Sequence, residues 1–286
     1  MKDNTHWANR LHWRLALGSI IPFILVLAWW YGVKKGTAVV PSFSEVWDVL
    51  SHPFREPPDL STRSLAFSTF ITLLRLTIGF GLGVITAVPL GYLAAKSPVW
   101  RRVLDPVVQM AKPINPIILL PIATVLFGLT SLGTILYGEL QAWRHDILDQ
   151  VQVAMVLILW WGTFFPVYIS TFDATVTIKR SYIETLVLME ASKWHIFRYV
   201  ELPSVLPQVL SGMRIALGVT WLVLIAAEIF PGTRAGLGYM LCTACKTSDY
   251  QYTFSALIII AIVGLVTDRL LQWLEKMTSH WKALER

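Results

Sequence analysis

Six apolar stretches, each long enough to cross a bilayer, dominate this chain of 286 residues. A membrane-spanning helix needs about 20 mostly apolar residues to cross about 30 Å of hydrocarbon. Backbone amides in lipid must be satisfied within the segment, so such stretches fold as helices. The predicted spans run from about Leu15 to Val33, Ala66 to Ala95, Pro106 to Leu129, Val151 to Phe172, Val209 to Phe230 and Phe254 to Leu274. The sequence therefore predicts an all-α polytopic membrane protein with six transmembrane helices.

Two of the predicted spans carry further signals. In the second span, Gly79 and Gly83 are four residues apart, a small-residue spacing that lets helices approach closely. The third span is expected to be broken by its prolines, Pro113, Pro116 and Pro121.

Composition agrees with this fold class and excludes several others. Hydrophobic residues make up 55% of the chain and charged residues 15%, which is too apolar for an ordinary soluble domain. The net charge of +6 is spread among the loops, so we expect no nucleic-acid partner. The sequence contains no phosphate-binding loop, no zinc-protease motif and no serine-hydrolase elbow. We therefore expect no catalysis, no metal site and no cofactor in this chain.

The spans divide the chain into three parts. Residues 1–64 hold an N-terminal segment, the first span and an outer-surface segment, residues 65–275 form a core with five spans, and residues 276–286 form a tail. Two segments of the core are polar, namely 130–150 and 181–207. Most Lys and Arg residues of the loops lie on the side shared by the termini and segment 181–207. The positive-inside rule predicts that this side is cytoplasmic, and that 130–150 is a periplasmic insertion.

The stretch from Ser181 to Arg214 is polar between two apolar spans. Its apolar residues recur at helical spacing, which predicts two short amphipathic helices, and Pro203 and Pro207 then mark the start of the fifth span. Periodicity alone leaves an ordinary loop on the membrane surface as an equal alternative.

The order of residues in this stretch resembles the EAA loop of ABC importer permeases, whose pattern is Glu-Ala-Ala, a glycine and a distal Leu-Pro. Glu184 takes the place of the leading acid, Ala191 and Ser192 follow the glycine position, and Leu202 and Pro203 fit the distal pair.

Three residues depart from this pattern. Thr185 and Leu186 stand where the pattern has its two alanines, and Glu190 stands where it has glycine. Because glutamate is bulkier and charged, we expect altered packing against a partner at position 190.

The sequence downstream of this stretch is similar to that of the nitrate, sulfonate, taurine and bicarbonate branch of these permeases; it reads GMRIALGVTWLVLIAAEIFPGTRAGLGYML. The resemblance covers about Val40 to Leu274. It implies a type I ABC importer permease (MetI-like) fold in the bacterial inner (plasma) membrane. It also implies that two copies of the chain form the pore as a homodimer. A periplasmic or lipid-anchored binding protein would deliver the solute, and two separate ATPase subunits would bind ATP and Mg.

The resemblance further implies that the helix around Glu184 to Lys193 docks on the ATPase and acts as a rigid lever. The predicted coupling residues are Glu184, Thr185, Met189, Glu190, Ala191, Ser192, Lys193 and Trp194.

Polar and ionisable side chains at membrane depth are costly, and they usually face a cavity or an opposite charge. The candidate residues for the translocation path are Lys112, Asn115, Thr163, Ser170, Thr171, Arg214 and Glu228. Arg214 and Glu228 lie about four helical turns apart, too far to pair with each other, so we expect each near an opposite interface. Arg75, in the second span, is expected to extend its guanidinium to the interface.

The sequence favours import of a small anion such as nitrate, bicarbonate or a sulfonate. Import of a neutral or cationic organic solute by the same machinery is the first alternative. A membrane-embedded enzyme that uses His145, Asp146 and Asp149 is the second, and a channel or structural membrane protein is the third. The Cys242 and Cys245 pair is interpreted as a helix-packing feature, because no second Cys or His pair stands nearby.

Overall fold

The spans are visible in a computed structural model. It describes residues 24, 27, 29–35, 40–58, 62–128, 130–138, 147–230, 233 and 235–278. Among them, four helices are long and apolar enough to cross a membrane, and a bent helix pair makes up to five. The described secondary structure is helical apart from one isolated bridge between Ser131 and Gln152. The predicted all-α fold class is therefore confirmed. Most of the predicted first span, Leu15 to Val33, lies outside the described residues.

The helices, numbered in chain order, have the following bounds. They are α1 (Phe43–Ser51), α2 (Leu65–Lys96), α3 (Pro98–Ala111), α4 (Leu119–Phe127), α5 (Leu132–Tyr137), α6 (Val153–Val176), α7 (Arg180–Leu188), α8 (Lys193–Ile196), α9 (Leu202–Ile229), α10 (Leu237–Thr247) and α11 (Tyr250–Thr278). Short 3-10 turns occur at Pro116–Ile118 and Leu148–Gln150, and a π-helical turn occurs at Phe197–Glu201.

Helices α2 and α6 pack more extensively than any other pair in the described parts of the chain. Two glycines one helical turn apart on α2 permit this approach. A Cβ atom added to Gly79 would lie 2.4 Å from Leu159, and one added to Gly83 would lie 2.5 Å from Thr163. Such distances leave room only for hydrogen, as in other small-residue helix interfaces. The close approach expected from this glycine spacing is confirmed.

Helix α9 closes the bundle by packing on α6 and α11. The shared core of α2, α6 and α9 contains the buried residues Leu76, Leu159, Leu217 and Leu224. Because these helices also pack against each other, they form one continuous unit around which the shorter helices are arranged.

The third predicted span is bent, and its helix begins earlier than expected. Helix α3 starts at Pro98, since proline is tolerated at a first helical position, where no N–H is required. The chain then bends by 78° between α3 and the Pro116–Phe127 segment. Pro113 lies within the break, where a missing N–H costs no helical hydrogen bond. The prediction of a proline-broken span is confirmed, but its start at Pro106 is wrong.

The fifth predicted span also begins earlier than its predicted start at Val209. Helix continues from Lys193 to Ile229, so the prolines do not separate the polar segment from the span. Proline clashes with the carbonyl four residues earlier, and for Pro203 that residue is Tyr199 in the π-helical turn. We attribute the wide turn to this local conflict, because π turns occur where the regular hydrogen-bond ladder is interrupted.

The outer-surface segment is fixed to the core. Ser42 begins α1 with a capping box, in which its hydroxyl accepts from the Glu45 N–H and its own N–H donates to the Glu45 carboxylate. Helix α1 packs against α11, and the Ser255 hydroxyl donates to the Val46 carbonyl.

The flanks of segment 130–150 are ordered by backbone hydrogen bonds. The Leu132 N–H donates to the Val151 carbonyl, and the Val153 N–H donates to the Thr130 carbonyl. The Asp149 carboxylate accepts from the Ser131 hydroxyl at 2.6 Å. His145 and Asp146 of the enzyme alternative lie outside the described residues.

Candidate coupling and translocation sites

Helix α7 presents its side chains to its surroundings. No residue of α7 is buried, although the helix carries apolar side chains, among them Val187 and Leu188, which is 84% exposed. In the following residues Met189 and Trp194 are also exposed. Large apolar side chains that remain uncovered on a polar segment indicate a surface for another protein.

The predicted coupling residues share this exposure. Ala191 is half-buried, and the other seven are exposed. The exposed residues are Glu184, Thr185, Met189, Glu190, Ser192, Lys193 and Trp194. The set therefore extends from the second half of α7, through the turn at residues 189–192, to the start of α8. Their role in docking stays a prediction.

The turn between α7 and α8 is a Schellman motif. The Ala191 N–H donates to the Leu186 carbonyl, and the Glu190 N–H donates to the Val187 carbonyl, each at 3.0 Å. Glu190 has φ of +56°, in the left-handed region that glycine adopts without strain. The glycine position of the EAA pattern is thus the left-handed residue that ends the helix, and here glutamate holds it.

Ser192 starts the second short helix. Its hydroxyl accepts from the His195 N–H at 3.3 Å, an N-cap that fixes the direction of α8 directly after the turn. An open groove of about 620 Å³ separates α7 from the start of α9. The lining residues are Tyr182, Thr185, Leu186, His195, Tyr199, Val200, Pro203 and Ser204.

Two candidate path residues lie at the break in the third span. Lys112 and Asn115 are exposed, and the Asn115 side chain accepts from the Ile117 N–H as the cap of the 3-10 turn. Lys112 takes part in no ion pair among the residues that the structure describes. Both side chains therefore remain available to a solute or to a second copy of the chain.

Three further candidates lie on α6, between helices. Thr163 is buried and its hydroxyl shares a 2.8 Å hydrogen bond with that of Thr220 on α9. Ser170 fills the space beside Gly212, and buried Thr171 donates to the Val167 carbonyl. Within one copy of the chain these three side chains mediate helix packing, and whether they also line a path stays a prediction.

The last two candidates each have an ionic partner that the sequence interpretation missed. Arg214 donates two hydrogen bonds to Asp268 on α11, at 2.7 and 3.1 Å. Glu228 pairs with Arg75 on α2 at 2.7 Å, and neither side chain is exposed. The expectation that Arg75 extends to the interface is therefore wrong, because its guanidinium is enclosed by protein.

The Arg75 and Glu228 pair is held in place by further hydrogen bonds. The guanidinium donates to the carbonyls of Gln150 and Ala235. The carboxylate accepts from the Thr72 hydroxyl at 3.0 Å. This network joins α2, α9, the 3-10 turn before α6 and the loop before α10. The signal for this network in the sequence was one arginine and one glutamate in two different apolar spans. Such a pattern indicates an ion pair only when the two residues are considered together.

A smaller cavity lies near the start of α6 and the end of α9. It has a volume of about 260 Å³ between α4, α6 and α9. Its lining residues are Leu120, Pro121, Thr124, Val125, Gln152, Met155, Ala227, Phe230 and Thr233. Sequence reasoning missed these residues because most of them are apolar and carry no chemical motif.

Two other features of the sequence are a possible metal site and the cysteine pair. In the described parts of the chain no group of three or more His, Cys, Asp or Glu side chains is arranged to hold a metal ion. Cys242 and Cys245 are both free thiols on α10, and Cys245 is exposed.

Comparison with known proteins agrees with this architecture. Residues 87–280 match the family described as "Binding-protein-dependent transport system inner membrane component". An ABC transporter permease protein of Methanocaldococcus jannaschii is 30% identical over 94% of this chain and 93% of its own length. The bicarbonate transport system permease protein CmpB of Synechocystis is 27% identical over 97% of this chain and 96% of its own. A Bacillus subtilis protein named for aliphatic sulfonates transport, permease protein SsuC, is 32% identical over 74% and 69%.

Solved structures share the fold at low sequence identity. One chain of the MetNI methionine ABC transporter, in an inward facing conformation, gives a TM-score of 0.57 at 18% identity, over 75% of this chain and 95% of its own. A chain of a bacterial alginate ABC transporter gives 0.58 at 17% identity over 96% of both chains. The expected MetI-like fold and the expected branch of the permeases are confirmed. The chain belongs to the family of inner membrane components of binding-protein-dependent transport systems, the non-catalytic, membrane-integral permease subunits of ABC transporters.

Proposed function

We propose that this chain forms the translocation path of an ATP-driven importer for a small anion. Helices α7 and α8, with the turn between them, dock on a separate ATPase subunit. The single observation that carries the docking is the uncovered surface of α7, whose apolar side chains stand exposed beside Glu184 and Lys193. Binding energy at protein interfaces concentrates in such large side chains, with a polar rim around them.

The placement of charges supports a cytoplasmic position for this surface. Lys96 at the end of α2 contacts Glu201, which follows α8, so the polar segment and the basic end of α2 are on the same side. Arg101 and Arg102 follow on the exposed first turn of α3. Clusters of Lys and Arg next to spans mark the cytoplasmic side.

The exposed face of α4 supports assembly with a second copy. Ile118, Ile122, Val125 and Leu126 are all more than half exposed on this short segment, directly after the break in the third span. A nine-residue helix is too short to cross a bilayer alone, so its apolar face needs protein as well as lipid beside it. We place the pore of a homodimer along this face.

Two features support an anionic solute. The relatives named above include permeases for bicarbonate and for aliphatic sulfonates. Lys112 lies exposed at the break without an ionic partner among the described residues. A lysine in that setting favours an anion by charge.

The proposal is tested on the complex purified from its native membrane with its binding protein and reconstituted into liposomes. Bicarbonate, nitrate, an alkyl sulfonate, a neutral sugar and a cationic amine are compared as stimulants of ATP hydrolysis and as imported solutes. We expect stimulation and uptake with one anion and none with the neutral or cationic probes. Stimulation by the amine or the sugar instead would support the alternative solute class.

A matched pair of variants separates solute contact from general damage. Lys112→Gln removes the exposed charge at the break, whereas Lys246→Gln removes an exposed charge on α10. We expect reduced anion uptake only from Lys112→Gln. Transport that proceeds without ATP or without the ATPase would contradict the importer proposal and favour a channel.

A further inference from the structure

Glu201 connects the predicted coupling segment to the inner end of α2. It is the last residue of the π-helical turn Phe197–Glu201, and only 6% of it is exposed. Its carboxylate accepts from the Tyr92 hydroxyl and from the Lys96 ammonium group. Tyr92 and Lys96 are four residues apart on α2, so both point from one face of the helix to the same carboxylate.

Aromatic contacts run parallel to this ionic connection. The Tyr92 ring meets the Phe197 ring edge-on at 5.6 Å, and Phe197 in turn packs against Trp194 at 5.5 Å between ring centroids. Trp194 belongs to the predicted coupling residues and is exposed. A continuous series of contacts therefore leads from the exposed surface to α2.

Helix α7, the first part of the coupling segment, packs little against the core. Helix α7 contains no buried residue, and three residues, 177–179, link it to α6. Helix α2 is packed along α6 through the glycines described above. A displacement of α7 and α8 thus reaches α6 through residues 177–179 and α9 through the continuous helix from Lys193 to Ile229, whereas it reaches α2 directly through the Glu201 contact.

We propose that Glu201 is a positioning residue that makes α2 follow the movement of the coupling segment when the ATPase closes. This inference rests on the proposed docking of α7 and α8 on an ATPase. The carboxylate holds Tyr92 and Lys96 against the start of α9, so that α2, α6 and α9 rotate together. Without the ionic connection, movement of α7 is transmitted to α6 and α9 and only partly to α2.

The test measures both movements in the same complex. Spin labels are placed at Ser181 on α7 or at Ile85 on α2, which are both exposed, after Cys242→Ser and Cys245→Ser. The distance between the two copies of each label is recorded by pulsed electron paramagnetic resonance, with and without ATP and vanadate. The complex contains the ATPase that purifies with the chain, and the binding protein.

The test variant combines Glu201→Gln with Lys96→Met, which removes both charges and so leaves no buried carboxylate unpaired. We expect the vanadate-induced shift at Ser181 to persist, while the fraction of complexes shifted at Ile85 falls by about fivefold or more. The charge exchange Glu201→Lys with Lys96→Glu should restore part of the shift. The control, Arg101→Gln with Asp105→Asn, neutralises an exposed ion pair on α3 and should leave both shifts unchanged.

An unchanged Ile85 shift in the test variant would overturn the role of Glu201. If the labelled parent complex shows no shift at Ser181, the proposed docking fails, which is a different result. If the test variant does not fold, Tyr92→Phe removes one hydrogen bond alone, and we expect a smaller loss of the Ile85 shift. If the Ile85 shift in the Tyr92→Phe complex equals the shift in the parent complex, the proposal is overturned.

Discussion

Arg75 and Glu228 neutralise each other in the interior of the protein, on two different spans, α2 and α9. Further hydrogen bonds to the pair come from protein groups, including the carbonyls of Gln150 and Ala235 and the Gly238 N–H. A buried ion pair of this kind contributes little net stability compared with apolar residues, but loss of one partner leaves a charge uncompensated. The pair therefore fixes how the ends of α2 and α9 sit together.

Replacement of Arg75 by Met should destabilise the protein strongly. The change leaves the Glu228 carboxylate buried without its cation, for which the expected cost is about 3–5 kcal/mol. The thermal midpoint of the purified complex in detergent, followed by tryptophan fluorescence, measures the loss. Adding Glu228→Gln to Arg75→Met should recover much of it. Equal stability of Arg75→Met and the unmodified chain would show that the pair is not needed.

Replacement of Glu190 by Gly should stabilise the turn between α7 and α8. A non-glycine residue in the left-handed region costs about 1–2 kcal/mol, and Gly removes that cost. Hydrogen exchange of the Ala191 amide, which bonds to Leu186, should become slower. Met189→Gly is the matched control, because Met189 has φ of −85° and gains nothing from glycine. Faster exchange at Ala191 in Glu190→Gly would contradict the strain at this position.

Two glycines of α2, two residues apart, should respond to alanine in opposite ways. A Cβ atom at Gly83 would overlap Thr163, whereas one at Gly81 meets nothing within 4 Å. We expect Gly83→Ala to destabilise by about 1–3 kcal/mol through overpacking, and Gly81→Ala to stabilise by up to about 1 kcal/mol through helix propensity. Thermal unfolding of both variants decides this, and equal midpoints would refute the close contact of α2 with α6.

Trp194→Ala should weaken binding of the ATPase. Exposed tryptophans at the centre of an interface typically contribute about 2 kcal/mol or more, which is about thirtyfold in affinity. Trp47→Ala on α1 is the control, because Trp47 is 61% exposed and Trp194 is 67% exposed. The fraction of ATPase retained on the immobilised permease during dilution measures the effect. Equal retention in both variants would remove Trp194 from the proposed docking surface.

Several parts of the fold could be predicted because each has a local physical cause. Long apolar stretches require helices in lipid, so four spans and the bent pair were located from composition. The spacing of Gly79 and Gly83 indicated a close helix contact, although the partner helix could not be named. The predicted starts of two helices were less accurate. Helices α3 and α9 start at Pro98 and Leu202, before the predicted Pro106 and Val209. Their first turns contain polar residues, so a search for continuous apolar stretches assigns them to loops.

The ionic contacts between helices could not be predicted, because they depend on how distant segments pack. Arg75 was interpreted as an isolated charge and Asp268 was not identified as a candidate, because nothing in either sequence neighbourhood indicates Glu228 or Arg214 as a partner. The effect of Glu190 was also interpreted as altered packing. Its main local consequence is the left-handed backbone that ends α7, which becomes evident only with the φ angle.

Cross-linking of native lysines in the purified, unmodified complex tests the central claim most directly. Lys193 is exposed at the start of α8, and Lys246 is exposed on α10. After treatment with a short amine-reactive cross-linker, mass spectrometry identifies which partner each lysine has joined. Docking of the α7 and α8 segment predicts that Lys193 is joined to the ATPase and that Lys246 is not. A complex in which Lys246 is joined to the ATPase and Lys193 is not would contradict the account.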